Sequence, residues 1–538
     1  MIDWSVTRGL KPLAAIRIRC ALPAMFLATL AGAGWILYVD RNLSFFGDEW
    51  TVVDRARSNW TGALLASHNG HWILVPRLLY QALFVSVGLR SYIPYLLLML
   101  AAHVAAVILL FLLVRRRAGD AVALGAAAIL LVFGRGAEDL AWAFQVGFIL
   151  PVACGLAALL LLDRQSARLW RLAVTSLLIT IGMISSGIGV VMLVTVAAEL
   201  VCDRSRWARV PVLLPPTIVY APWYLFIGRH DTGSPLSTVS LLGLPDFVFH
   251  GLGSATAAVY GLSDRHANLV LLGTALLLAG AWAHRRRVGS RAAGPLLGAI
   301  ALFALIGLTR GQFGIGQATA SRYLYVSAAL ILLVLADALV ELPAHWALLV
   351  VVAAVALFSA GENAKQLADF AAARAGYAAT QTVELRTFEA FRGDAAVGDA
   401  VLDPVYTPVT PRQYFDATAA WGSPVPPATT PDLAGLDPQP VNQALVTLFA
   451  DGLGLTAPPD PAPSCLLVDR LVLPEGSSVL IVPASGQVAR LDVALVGPDT
   501  AGAQEAVPNA GKLTLGGDRL PSPWRVTVAN GGACLLGS

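Results

Sequence analysis

The sequence predicts an α-helical polytopic membrane protein with a C-terminal extracytoplasmic domain. Of its 538 residues, 57% are hydrophobic and only 13% are charged, about half the charged share of a soluble domain. Apolar runs long enough to span a bilayer fill the chain to about Gly361, and none follows. This composition excludes a soluble enzyme, a disordered chain and a disulfide-dense secreted scaffold, and it argues against nucleic acid as a partner.

Uncharged stretches of about 20 residues mark the membrane spans. Leu172–Ala198 has arginines at both ends and Ser185-Ser186-Gly187 near its middle, which predicts two short helices that meet at a break. Leu78–Leu89 is too short to cross and is interpreted as a re-entrant or interfacial helix. The total is about 11 transmembrane helices. The other nine are Ala21–Val39, Ser91–Val114, Ala121–Gly134, Leu140–Leu162, Val210–Gly228, Ala267–His284, Ala292–Thr309, Ser321–Val340 and Leu342–Gly361.

Basic clusters set the orientation, because basic loops stay on the cytoplasmic side. The segment before the first span is basic, and so are Arg115–Arg117 and Arg285–Arg287. The N-terminus is therefore predicted to be cytoplasmic. An odd number of crossings then places the C-terminus outside the plasma membrane. The first apolar run exceeds a usual signal-peptide core, which favours an uncleaved anchor.

The chain divides into three predicted regions. Residues 1–361 form the membrane domain, whose external loop 41–72 carries the candidate catalytic residues. Residues 362–464 form a connecting region, in which 362–394 is predicted to be a helix that leaves the membrane and the proline-dense 403–463 is predicted to be irregular. Residues 465–538 contain short apolar or alternating runs, which predict a small β-sandwich. Cys465 and Cys534 flank this region, and an external compartment would oxidise them to a disulfide. The alternative is two unpaired small hydrophobic residues.

Polar residues of the predicted external loops form the candidate site. Asp48 and Glu49 stand among aromatic residues just after the first span. Burial raises the pKa of a carboxylate and makes it a better base. Arginine and histidine hold and neutralise a departing phosphate. The remaining candidates are His68, His71, Arg77, Glu138, Asp139, Gln145, Arg310, Arg322 and Tyr323.

Each candidate also has a plainer interpretation. The two acids after Gly47 would suit a helix N-terminus. His68 and His71 could bind a metal or simply form hydrogen bonds. Arg77 and Arg322 could be membrane-interface anchors, and the Glu138-Asp139 pair could be a solvated turn. Their collection at one membrane face favours an enzyme acting on a lipid-linked phosphate.

The arrangement resembles the GT-C superfamily of membrane glycosyltransferases, including bacterial members. The resemblance covers roughly Ala21–Gly361 as topology, and the sequence departs from it in lacking Asp-x-Asp, which leaves a divalent metal and the donor sugar open. The matching segments are Gly47-Asp48-Glu49, Val75-Pro76-Arg77-Leu78-Leu79-Tyr80, Arg115-Arg116-Arg117, Glu138-Asp139 and Ala320-Ser321-Arg322-Tyr323.

This resemblance implies a hexosyl- or pentosyltransferase that uses a polyprenyl-phosphate sugar donor and an external glycan or lipid acceptor, with inversion. Asp48 would be the general base, with Glu49 as the fallback. Glu138 or Asp139 would orient the acceptor. Arg322, with His68 or His71, would bind the departing phosphate.

Two other functions stay open. A lipid-glycan transporter or flippase would place ionisable residues near mid-span, where His103 is the main example. A non-catalytic cell-envelope assembly protein would keep its function without Asp48 or Glu138.

Overall fold

The computed structural model is mostly helical and ends in β-strands. The chain forms two compact units. The first comprises Met1–Arg41, Trp60–Ala82 and Ile93–Ala373, and the second comprises Asn42–Asn59, Leu83–Tyr92 and Arg374–Ser538. The structure describes residues 18–164, 168–231, 241–285, 288–340, 342, 345–393, 400–449, 455–460, 466–473, 477–494, 502–514 and 524–536.

Across these described ranges, eight helices have the length and composition of membrane spans, and the bent pair Asp120–Leu131 and Gly134–Leu140 would make a ninth. The protein is thus a multi-pass membrane protein. The eight are Ala21–Asp40, Ile93–Ala118, Ala143–Leu162, Arg204–His230, Asp264–Ala283, Ser290–Phe313, Ser321–Leu339 and Trp346–Ala390.

Two shorter helices, Leu169–Met183 and Ile188–Val201, lie where the sequence predicts short helices meeting at a break. All eleven predicted spans thus fall on helices. The count of eleven crossings itself stays a prediction, because these two are shorter than a bilayer-spanning helix. The predicted interfacial segment overlaps the 13-residue helix Leu74–Ser86. Two further short helices are Trp60–Leu65 and Ala137–Leu140.

One helix of the first unit, Leu244–Val259, escapes the hydropathy analysis. Asp246 and His250 interrupt its apolar run, so it has no span signature. It nevertheless packs against three neighbours, because small residues let them approach closely. A Cβ on Gly251 would lie only 2.2 Å from the ring of Phe303. Close packing, which no single-segment pattern records, makes this helix part of the core.

An ion-pair network joins the predicted cytoplasmic ends of several helices. Arg117 donates to Asp163 at 2.9 Å and to Glu199 at 2.8 Å, and Arg206 donates to Glu199 at 2.7 Å. All four side chains are nearly buried. Arg117 therefore holds these helices together, in addition to being one of the arginines that predict the orientation.

The helix Trp346–Ala390 is 45 residues long and continues without a break past Gly361. The predicted last span and the helix predicted to follow it are therefore one continuous element, and its exit from the membrane stays a prediction. The unit boundary falls within it, at Ala373 and Arg374, whereas the predicted domain boundary at residue 361 stays a prediction.

The described part of the second unit contains three further α-helices: Asp48–Ser58, Pro411–Trp421 and Pro438–Phe449. The last two correct the interpretation of 403–463 as irregular. Thr410 forms a capping box with Gln413, and Pro411 occupies the first turn. A proline there lacks only an N–H that the helix leaves unpaired anyway, so it starts the helix rather than breaking it.

The C-terminal strands form two antiparallel sheets, in agreement with the predicted β-rich domain. The sheets have the strand orders β3-β8-β5-β6 and β7-β4-β9. In β8 the burial alternates residue by residue, as in a strand with one face on a core. The strands are β3 (Arg470–Leu473), β4 (Ser478–Pro483), β5 (Ala489–Ala494), β6 (Ala503–Val507), β7 (Gly511–Thr514), β8 (Trp524–Ala529) and β9 (Gly531–Leu536). The first unit holds β1 (Ser67–His68) and β2 (His71–Trp72).

Candidate functional site

A tight hairpin in the first unit carries the two histidines. Asn69 and Gly70 both have positive φ, at 52° and 81°. An Asn-Gly pair suits this geometry, which makes a two-residue turn between antiparallel strands. The register places His68 directly opposite His71. The predicted pairing of the histidines is thus a consequence of the turn chemistry at Asn69 and Gly70.

His71 lies half-buried against the break between the two short helices. Its ring meets Phe148 edge-on, with the centroids 6.5 Å apart. A Cβ built on Gly187 would lie 2.7 Å from its Nδ1 atom, so the ring fills the space that this glycine leaves. The Ser185-Ser186-Gly187 segment therefore has a second effect beyond interrupting a helix: it makes room for His71.

The surroundings of His71 are positively charged. Burial, together with the nearby Arg310, His68 and Arg322, lowers the pKa of His71 to about 4, against a smaller opposing effect of Asp231. The imidazole is consequently neutral at pH 7. It can donate or accept a hydrogen bond, while the arginines supply the positive charge that an anionic group would require.

Glu138 and Arg322 form a reciprocal contact at the start of the helix Ser321–Leu339. The Arg322 backbone N–H donates to Glu138 Oε2 at 3.1 Å, and its guanidinium lies 3.4 Å from Oε1. The Glu138 backbone N–H donates to Ser321 Oγ at 3.1 Å. A carboxylate at a helix N-terminus is favourable, so Glu138 both caps this helix and holds Arg322. This bonded position differs from the solvated turn that the sequence left open.

Asp139 and Gln145 are buried without matched polar partners. Asp139 is fully buried, and neither carboxylate oxygen has a hydrogen-bond partner within the described part of the chain. Gln145 is 3% exposed, and its Oε1 likewise has none among the same residues. A buried polar atom in this state needs a water or a ligand group. The two side chains thus mark a position where a polar group would be stabilised.

Arg310 and Tyr323 complete this part of the first unit. Arg310 is half-buried and ends the helix Ser290–Arg310. Tyr323 is buried, its ring lies 6.3 Å from Phe148, and the Arg322 guanidinium lies 5.2 Å from the Tyr323 ring centroid. His71, Glu138, Arg310, Arg322 and Tyr323 form one electrostatic cluster, hereafter the basic cluster.

Asp48 and Glu49 belong to the second unit, where they occupy different environments. Gly47, with φ of 51°, precedes the helix Asp48–Ser58, so both acids stand in its first turn. Glu49 is fully buried. It accepts a hydrogen bond from the Phe46 N–H at 2.9 Å and from the Tyr92 hydroxyl at 3.0 Å. Asp48 is half-buried. Both acids therefore stand at a helix N-terminus, as one interpretation of the sequence expected. The hydrogen bonds of Glu49 indicate a structural role for it.

Arg77 is placed in a structural role. Its side chain is 2% exposed and donates to the carbonyl oxygens of Ala63 and Ala66, at the end of the helix Trp60–Leu65. These carbonyls are the ones that a helix leaves unpaired at its C-terminus. The structure therefore uses Arg77 to hold the chain just before the histidine hairpin, and a membrane anchor is not required to explain it.

Four of the five cysteines lie in the described part of the chain. Cys534 on β9 is disulfide-bonded, and Cys20, Cys154 and Cys202 are free. The predicted partner, Cys465, lies outside the described residues. In the described part of the chain, no group of three His, Cys, Asp or Glu side chains is arranged to hold a metal ion.

Sequence reasoning missed the residues that support the site. Tyr92 bonds to Glu49 from 43 positions away. Trp72 stacks on Trp223 at 5.2 Å, and its indole donates to Leu64 O. No spacing or composition signal marks these partners, because each contact joins distant parts of the chain.

Fold and site together define a multi-pass membrane protein in which the basic cluster, with the half-buried Glu138 and the buried Asp139, lies at the ends of helices. Two solved structures resemble this chain, both of ArnT from Cupriavidus metallidurans. The one bound to undecaprenyl phosphate has a TM-score of 0.47 and 13% identity, covering 73% of this chain and 87% of that chain. The apo structure has a TM-score of 0.47 and 14% identity, covering 78% and 91%. No protein-family model matches the sequence, and no curated protein does.

Proposed function

We propose that this protein is a membrane glycosyltransferase that moves a sugar from a polyprenyl-phosphate donor to a glycan or lipid acceptor. The observation that carries the proposal is the basic cluster. The charges of Arg310 and Arg322 act on a neutral His71, and Arg322 also acts on the fully buried Asp139. The GT-C-like motifs in the sequence support the same chemistry.

In this proposal the basic cluster holds the phosphate of the donor. Arg322 is pre-positioned by Glu138, which reduces the entropy that binding would otherwise cost. Its guanidinium offers several N–H donors to phosphate oxygens. His71 adds a neutral hydrogen-bonding group. These groups stabilise the negative charge that grows on the phosphate as the sugar departs.

Asp48 is the proposed general base. The acceptor hydroxyl oxygen forms a bond to the anomeric carbon while its proton passes to the Asp48 carboxylate. The bond from the anomeric carbon to the phosphate oxygen breaks, and its electron pair leaves on polyprenyl phosphate. A single displacement of this kind inverts the anomeric configuration. Asp48 suits this role better than Glu49, whose carboxylate is buried and bonded to Phe46 and Tyr92.

An apolar cavity of about 790 Å³ in the first unit supports a lipid donor. Its walls come from several helices, and the one basic side chain lining it, Arg285, pairs with Asp337 at 3.0 Å. A polyprenyl tail is a branched hydrocarbon and would fill such a space through apolar contact alone. The lining residues include Val122, Ile129, Leu276, Leu332, Val352 and Ala356.

The transporter alternative is less well supported. It requires ionisable groups near mid-span that are available to move ions or substrate. His103 is instead fully buried, with its Nδ1 atom 2.9 Å from the Tyr325 hydroxyl and its Nε2 atom 3.0 Å from Leu131 O. These are bonds between helices, which favour a structural role.

The decisive experiment incubates the purified full-length protein with a panel of polyprenyl-phosphate sugars and measures release of free polyprenyl phosphate. We expect release from at least one donor, and its loss in Asp48→Asn with normal expression and folding. The matched control is Asp54→Asn, an acid farther along the same helix. Undiminished transfer by Asp48→Asn would refute the base. No release from any donor would refute the enzyme and favour an envelope assembly protein.

A further inference from the structure

An aromatic group lies on the surface of the second unit, and one of its members, Phe46, stands two residues before Asp48. The rings of Tyr377 and Tyr406 stack nearly parallel, with centroids 4.3 Å apart and an interplanar angle of 17°. Phe46 lies 5.5 Å from Tyr406, and the Arg374 guanidinium lies 3.2 Å from the Phe46 centroid. These four residues are hereafter the aromatic stack.

One side of the aromatic stack is open to solvent. The stacking contact covers one face of the Tyr377 ring, and the side chain is nevertheless 47% exposed. The opposite face is therefore accessible. Gly376, the neighbouring residue, has nothing within 4 Å of the position that a Cβ would occupy. An exposed aromatic face with room beside it is suited to a flat apolar partner.

Hydrogen bonds of a buried amide hold the loops that carry the stack. Gln381 is 6% exposed, and its Nε2 donates to Phe45 O and to Thr407 Oγ1, both at 2.9 Å. Its Oε1 accepts from Ser44 Oγ at 2.7 Å. One buried amide thus ties two loops together beneath the rings. A partner would meet a preformed surface, so little conformational entropy is lost on binding.

The stack is also hydrogen-bonded to the start of the helix Asp48–Ser58, which carries the proposed base. The Gly47 N–H donates to Tyr406 O at 2.9 Å, and Gly47 immediately precedes Asp48. The two tyrosine side chains are joined by a hydrogen bond, which contributes to raising the pKa of Tyr406. The rings, their hydroxyl groups and the proposed base therefore form one continuous piece of structure.

We propose that the aromatic stack binds one sugar ring of a glycan acceptor, with the open face of Tyr377 against the C–H face of the sugar. A sugar ring has an apolar face and a hydroxyl-bearing edge, and the stack offers both matching chemistries: an aromatic face, and the hydrogen-bonding groups of Arg374 and the tyrosines. The proposal rests on the proposed glycosyltransferase function and narrows its acceptor to a glycan.

A membrane-interface role is the competing account, since tyrosine and arginine are also common there. Residues in an interfacial belt contact lipid individually. Here two rings are stacked on each other above a polar, hydrogen-bonded floor, which is unsuited to acyl chains. This geometry favours the sugar.

The test uses the full-length protein in nanodiscs of neutral phospholipid and an array of gluco-, manno-, galacto- and arabino-oligosaccharides, with no donor present. The best-binding oligosaccharide is then titrated. We expect Tyr377→Ala to weaken its binding about tenfold, because the stacking face is lost. Tyr377→Phe should bind within about threefold of the native protein. Thr380→Ala, on the same exposed stretch of helix, is the matched control and should bind normally.

The outcomes separate this proposal from the proposed function. Native binding that survives Tyr377→Ala, or no binding of any oligosaccharide, overturns the sugar site even where donor turnover is observed. Loss of binding in Tyr377→Ala without donor turnover supports the sugar site and refutes the enzyme. The membrane-interface account is supported if Tyr377→Ala binds the oligosaccharide as well as the native protein does, and if binding weakens only when the lipid of the nanodisc is changed.

Discussion

Glu138 holds Arg322 through both its backbone and its side chain. The Arg322 N–H lies 3.1 Å from Glu138 Oε2, and the guanidinium lies 3.4 Å from Oε1. One carboxylate therefore fixes the start of a helix and the direction of the cation that follows. The two residues stand 184 positions apart in the chain.

The first prediction concerns this pair. Glu138→Gln removes the charge that positions Arg322 while keeping the shape of the side chain. We expect the KM for the polyprenyl-phosphate donor to rise about threefold to tenfold, with a smaller change in kcat, because a partly exposed ion pair contributes about 1 kcal/mol. Steady-state kinetics measure both. Asp264→Asn, an exposed acid paired to Arg135, is the control and should leave KM unchanged. An unchanged KM in Glu138→Gln would contradict the positioning role.

The second prediction separates Glu49 from Asp48. Glu49→Gln weakens buried hydrogen bonds to Phe46 and Tyr92. We therefore expect the free energy of unfolding to fall by about 1–3 kcal/mol and the midpoint of thermal unfolding to be lower. Asp48→Asn should leave that midpoint unchanged. Tyr92→Phe, combined with Glu49→Gln in a double-mutant cycle, should show a coupling energy of about 1 kcal/mol. Equal destabilisation by the Asp48 and Glu49 variants would show that the two acids share one role.

The third prediction concerns Gly187. An alanine Cβ would lie 2.7 Å from His71 Nδ1, so Gly187→Ala must displace the imidazole. Its backbone is helical, and the substitution adds no backbone strain. We expect donor turnover to fall at least about tenfold with little change in the unfolding midpoint. Gly147→Ala is the control, because its Cβ would meet Pro76 at an ordinary 3.4 Å. Normal turnover in Gly187→Ala would remove His71 from the site.

The fourth prediction concerns the pH dependence of stability. The pKa of His71 is lowered from 6.5 to about 4, chiefly by burial. Between these values the unfolded chain binds a proton that the folded chain does not. Stability should therefore be highest above pH 6.5 and fall as the pH decreases towards 4. The titratable and charged groups facing His71 are His68, Arg310, Arg322 and Asp231.

Thermal unfolding from pH 8 to 4.5 measures this effect. His71→Gln should flatten the profile across the window, since glutamine does not titrate. His230→Gln, an exposed histidine of the same unit, should leave the slope unchanged. An identical slope in the native protein and in His71→Gln would show that other groups control the pH dependence.

The fifth prediction concerns the predicted disulfide. Mass spectrometry of a non-reduced digest should recover a peptide pair joining Cys465 and Cys534. The bridge would close a loop of about 70 residues, so reduction should destabilise the β-rich domain by about 4 kcal/mol on the chain-entropy model. Recovery of both cysteines as thiols from freshly purified protein would contradict the pairing and weaken the external placement of the domain.

The sequence identified the helices well because the signal is local. A span needs about 20 consecutive apolar residues, and each run can be judged without its neighbours. The break at Ser185–Gly187 could be recognised for the same reason. The helix Leu244–Val259 could not, because its stability comes from close packing against other helices rather than from its own hydropathy.

The sequence could predict which residues are candidates for the site, but not how these residues are arranged in space. Polar groups that interrupt an apolar chain are few, so Glu138, Arg322 and His71 stood out. Their roles depended on contacts across the chain. Arg77 and Arg322 were candidates on the same grounds, as arginines near a predicted external membrane face. Arg77 nevertheless donates its hydrogen bonds to the carbonyls of Ala63 and Ala66.

The sequence by itself determined that this is a multi-pass membrane protein, where most of its membrane helices lie and which polar residues are candidates. These properties follow from composition and spacing, which act over a few turns of chain. The tertiary structure alone decided that Glu49 is buried beneath Tyr92, that Glu138 fixes Arg322, and that Tyr377 stacks on Tyr406. Each of these contacts joins residues far apart in sequence, and only the packing of the folded chain brings them together.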